Sequence, residues 1–82
     1  MITIEITKNS LMIEGHANST LCSSISLLSQ YICSCLEPYE YQSQYGYLKA
    51  KFQESQLSEM MLAKFLDFLI SLKSTEIYIK GD

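Results

Sequence analysis

Ile13-Glu14-Gly15-His16-Ala17-Asn18-Ser19-Thr20-Leu21-Cys22-Ser23-Ser24-Ile25-Ser26 is the stretch in which this chain changes period. Upstream, Ile2, Ile4 and Ile6 alternate with Thr3, Glu5 and Thr7, the period of two of a strand with one buried face. Lys8-Asn9-Ser10 supplies turn chemistry, and Leu11 to Glu14 reads as the returning strand of a hairpin, ending at Gly15-His16. From Thr20 onward Leu21, Ile25, Leu28, Ile32 and Leu36 recur at steps of four and three, which predicts an amphipathic helix of about four turns. Asn18, Ser19 and Thr20 are all good N-cap residues, and Pro38 disfavours helix at Glu37, so both ends have a cause.

Beyond Pro38 the chain carries a second hairpin, a second helix and a last strand. Tyr39 to Gln44 and Tyr45 to Gln53 read as a hairpin around Gly46, with Leu48, Ala50 and Phe52 inward and Lys49, Lys51 and Gln53 toward water. Ser55 is a plausible cap for a second helix whose apolar stripe is Leu57, Met61, Leu62, Phe65, Leu66, Leu69 and Leu72, with Lys73 in its last turn complementing the dipole. Ile77 and Ile79 alternate with Tyr78 and Lys80 as one more strand. Strands with one apolar face and two amphipathic helices close most simply as an α+β fold of two layers. The expectation is a small, mostly antiparallel sheet with both helices on one face, in ββαββαβ order, as a single domain over residues 1–82.

The chain has 82 residues, 48% of them apolar and 18% charged, with a net charge of -3. Its six lysines are scattered and unaccompanied by arginine, so it has none of the clustered basic surface that a phosphate backbone requires, and no direct nucleic-acid partner is expected. No run approaches the roughly 18 to 20 apolar residues that cross a bilayer, and MITIEITKN lacks a basic and then apolar leader. The chain reads as cytoplasmic, with no membrane partner and with Cys22, Cys33 and Cys35 as free thiols.

His16, the one histidine, falls just past a predicted strand end, and Cys22 falls in the first turn of a predicted helix. There the positive end of the helix dipole and backbone amides without intrahelical acceptors favour a thiolate. The amides of Cys22 and Ser23 are candidates to hold an oxyanion, and five intervening residues leave ample reach for His16 to meet Cys22. The bland reading is a partly exposed histidine at a strand end and a cysteine packed as a small hydrophobe. Zinc is not expected: along a continuous helix Cys22 and Cys33 lie about 16 Å apart, against metal–sulfur bonds of about 2.3 Å. Cys33 and Cys35 point to different helical faces and read as packing residues.

Gly15-His16-Ala17 closing a strand, followed by Cys22-Ser23-Ser24-Ile25-Ser26 opening a helix, resembles the ribosomal-processing cysteine proteases of Firmicutes and related bacteria. In that family Gly-His-Ala is followed by a loop and then by Cys-x-x-Val-Ser or a close variant. The order of elements is similar over nearly the whole chain. The resemblance implies a hydrolase, a thiol protease with His16 as general base or imidazolium and Cys22 as nucleophile. It further implies that Gly15, Ala17, Ser23 and Ser26 shape the peptide site. No cofactor is implied. The implied partner is the N-terminal segment of a large-subunit ribosomal protein, and the implied assembly is a homodimer. The chain departs from the family between His16 and Cys22: Ala17 to Leu21 form a shorter connection than the family's mobile, glycine-containing and acidic loop, which implies a more open site. The alternative is a weak or inactive relative acting as a protein-interaction module, a reading supported by the crowd of Tyr31, Tyr39, Tyr41, Tyr45 and Tyr47 in mid-chain.

Overall fold

The structure, a computed structural model, describes residues 1–80. Its elements are β1 (Ile2–Ile6), β2 (Ser10–Gly15), α1 (Ser19–Leu36), β3 (Glu40–Gln44), β4 (Tyr47–Lys51), α2 (Gln56–Ser71) and β5 (Ile77–Lys80). The strands form one sheet in the order β3-β4-β2-β1-β5. β1 pairs antiparallel with β2, β2 with β4 and β4 with β3, while β5 joins β1 in parallel, Ile2 opposite Ile77. The fold is α+β, with the predicted ββαββαβ order.

The registers explain why one face is greasy. Ile4 sits opposite Ile13, Ile13 opposite Leu48, and Leu11 opposite Ala50, so the apolar residues of three central strands share a face. β2 and β3 both run antiparallel to β4, hence in one direction, and β4 runs with β1 and β5 in the other. Each helix is thus a crossover between like-directed strands, and the two crossovers move along the sheet in opposite senses. With the same right-handed preference, both helices land on the same face. Ile25 and Ile32 of α1 and Leu62, Phe65 and Leu69 of α2 close the core over Ile4, Leu11 and Phe52, all buried. Phe52, fully enclosed, packs just beyond the end of β4. β3 lies outside this cover, and all five of its residues are exposed.

The helix starts follow capping chemistry. The Asn18 side chain accepts from the Leu21 amide at 2.9 Å, so Asn18 is the cap of α1 and the helix begins at Ser19. Ser55 and Ser58 cap α2 reciprocally, and Ser58, buried, also donates to the Gln53 carbonyl at 3.0 Å. At the other end of α1, Glu37 takes a left-handed φ of 49° ahead of Pro38, and its amide returns to the Cys33 carbonyl. Lys73 corrects an expectation. α2 ends at Ser71, and Lys73 lies beyond it with φ 51°, so its charge does not sit in the last turn. Leu57 and Leu72, at the ends of the apolar stripe, are exposed.

Candidate active site

His16 extends the ladder past the end of β2. Its amide donates to the Met1 carbonyl at 3.2 Å, and the neighbouring Gly15 amide donates to the Gly46 carbonyl at 2.9 Å. Gly15 has φ +111°, and a Cβ there would collide with the Met1 carbonyl, so glycine is required by the chain's own backbone at this point. The His16 ring leans toward the β3–β4 turn. Its centroid is 4.7 Å from that of Tyr45, with the planes at 37°. Its Nε2 and Cε1 edge covers Gly46, where an added Cβ would come within 2.7 Å of Nε2.

Cys22 is half-buried on α1, and its sulfur is held by Ala17. The Ala17 amide donates to Sγ at 3.1 Å, and Sγ can donate to the Ala17 carbonyl at 3.5 Å. Among the described residues no hydrogen bond joins the His16 imidazole to Sγ. The expected oxyanion donors also need correction. Because Asn18 is the cap, Cys22 is the fourth residue of α1, and its amide already donates to the Asn18 carbonyl at 3.0 Å. Ser23, one residue further in, lies past the first turn, where amides bond within the helix. The amides that helix geometry leaves free belong to Ser19 and Thr20 instead.

A cleft of about 550 Å³ opens between the N-terminal half of α1 and the tip of the β3–β4 hairpin. Gly15, His16, Cys22, Ser23 and Ser26 all line it; Ala17 does not, and acts through its hydrogen bonds to Cys22. The cleft walls carry hydroxyl, amide and aliphatic groups, with no Asp, Glu, Lys or Arg among the lining residues. Ser26 Oγ accepts from Gln30 Nε2 at 3.1 Å, which leaves the serine proton free to donate into the cleft.

No protein-family model and no curated protein matches this chain. A thiol, an imidazole and several hydroxyls share one open, uncharged cavity, a set suited to nucleophilic attack on a neutral carbonyl.

Three contributors were not legible as site residues. Asn18 donates to Glu76 at 2.8 Å while capping α1, so a carboxylate 58 positions away fixes the start of the helix that carries Cys22. Tyr45 and Gly46 bound the His16 ring. Gly46 carried a signal, being the glycine of a predicted hairpin, but nothing in its spacing linked it to His16. The other thiols lie apart from the cleft lining. Burial pushes the Cys33 thiol above its ordinary range, and a hydrogen bond with Cys35, then its charge, pushes the exposed Tyr31 phenol up.

Proposed function

We propose that this chain is a cysteine peptidase of the ribosomal-processing kind, acting in the cytoplasm without a cofactor. The observation that carries the reading is that Gly15, His16, Cys22, Ser23 and Ser26 line one cleft. His16 takes the Cys22 proton, and the thiolate attacks the scissile carbonyl. The tetrahedral oxyanion collapses to a thioester as the imidazolium returns its proton to the leaving amine. Water, deprotonated by the same imidazole, then hydrolyses the thioester and restores the thiol. With the Cys22 amide engaged in the helix, hydroxyl groups of the cleft are the available donors to the oxyanion. The reading carries with it the N-terminal segment of a large-subunit ribosomal protein as substrate and a homodimer as the assembly.

Alkylation rates test the dyad. Cys22 reacts with iodoacetamide at neutral pH faster than Cys33 and Cys35, and His16→Ala removes the difference; equal rates for all three cysteines would contradict the reading.

One observation favours the second reading, a non-catalytic interaction module. The sulfur is held by Ala17 rather than by the imidazole, while β3 offers an exposed strand flanked by exposed Tyr39 and Tyr45. For that module the three cysteines alkylate alike, and Cys22→Ala leaves partner binding intact.

A further inference from the structure

Catalytic histidines in cysteine and serine hydrolases are usually oriented by a third group that hydrogen-bonds the second ring nitrogen. Here, among the described residues, the His16 ring makes no hydrogen bond, and its side chain is exposed. An exposed imidazole on a strand end samples its rotamers freely unless packing restrains it. The restraint present is the β3–β4 turn. The Tyr45 ring lies beside the imidazole, its plane tilted by 37° and its centroid 4.7 Å away, within the separation of favourable aromatic pairs. The Nε2 and Cε1 edge rests on Gly46, which has φ +78° and no side chain to push it away. The turn is itself anchored to the strand bearing the histidine through the Gly15 amide and the Gly46 carbonyl.

We propose that the Tyr45–Gly46 turn is the positioning element of the site: Tyr45 biases the His16 imidazole by a tilted ring–ring contact, and Gly46 keeps open the place that the ring occupies. Tyr45 is a positioning residue and does not touch the reacting atoms. The inference rests on the peptidase reading for its consequence in catalysis, while the ring–ring contact can be tested apart from it.

Tyr45 is 93% exposed, so its replacement leaves the fold intact. The protein has one histidine, which makes the ring-proton NMR signals of His16 unambiguous. In Tyr45→Ala both ring-proton signals move, as the ring current of the adjacent phenol is lost, and Cys22 alkylation by iodoacetamide at neutral pH slows about three- to tenfold. Tyr45→Phe keeps the ring–ring contact, so it restores both the signals and the rate to near the parent values. Gly46→Ala displaces the ring and moves the same signals even where Tyr45 is retained. Ring signals and alkylation rate both unchanged in Tyr45→Ala would overturn the proposal, as would a Tyr45→Phe variant that behaves like the alanine. If Tyr45→Ala moves the ring signals but Cys22 alkylation ignores His16→Ala in the parent chain, the peptidase reading fails while the positioning role of Tyr45 stands.

Discussion

The Ala17 amide donates to the sulfur of Cys22 across 3.1 Å, closing the connection between β2 and α1 with the side chain of the proposed nucleophile itself. A sulfur that holds the loop is also a sulfur held by the loop, which sets where the thiol sits in the cleft. Cys22→Ala leaves the Ala17 amide without its partner at a partly buried position. The expected cost is about 1 kcal/mol, which in a domain of this size lowers the melting temperature by roughly 4 to 8 °C. A thermal melt of Cys22→Ala checks this, and an unchanged midpoint would mean that the contact contributes nothing to the fold.

Asn18 caps α1 with its side-chain oxygen and reaches Glu76 with its nitrogen. Asn18→Ala should cost about 1 kcal/mol, the usual loss for removing an asparagine cap. Glu76→Gln keeps an acceptor for Asn18 and should cost less. Urea denaturation of the two variants orders them. Both should alter the Cys22 alkylation rate, because these side-chain bonds hold in place the residue whose backbone carbonyl accepts the Cys22 amide.

Ser58 is buried and bonded in two directions. Its amide donates to Ser55 Oγ, and its hydroxyl donates to the Gln53 carbonyl and accepts from the Ser55 amide. Ser58→Ala removes the hydroxyl half of this arrangement and its part-buried bonds to the Gln53 carbonyl and the Ser55 amide, at a cost of about 1 kcal/mol. Ser71→Ala, an exposed serine on the same helix bonded only to Phe68, serves as the mild comparison in the same urea titration.

Burial raises the Cys33 thiol. The folded protein therefore keeps that proton to higher pH than the unfolded chain, in which the thiol ionises near pH ~8.5. The stability linked to Cys33 is fully present below that pH and is lost as the pH rises through the raised value. Replacing Cys33 with Ala should flatten the fall of the melting temperature between about pH 8 and pH 10. Unchanged curvature would show that the burial of this thiol has no energetic weight.

Local period made most of the fold legible: apart from β3, which was read as one arm of the hairpin around Gly46, each element came from apolar spacing that needed no knowledge of its neighbours. The parallel pairing of β5 with β1 had no local signal, because it joins Ile2 to Ile77 and is decided by where α2 delivers the chain. The error over the Cys22 amide turned on a shift of two residues. With Thr20 as cap, Cys22 would be the second helical residue and its amide free; with Asn18 as cap it is the fourth, and bonded. Asn18, Ser19 and Thr20 are all competent caps, and the bond from Asn18 to Glu76, remote in sequence, helps select the first. Ser29 and Ser58 escaped the reading of the core because a serine that bonds to a nearby carbonyl can be buried without an apolar signature.

The proposed chemistry is hydrolysis of a peptide bond by His16 and Cys22 in the cleft between α1 and the β3–β4 hairpin. Mass spectrometry of peptides spanning the N-terminal extensions of large-subunit ribosomal proteins, incubated with the parent chain and with Cys22→Ala, tests it most directly. The account predicts a single cut by the parent, none by Cys22→Ala, and a transient mass on the parent protein equal to the acyl fragment bound as a thioester. Peptides left whole by a folded parent chain, with no acyl adduct, would contradict it.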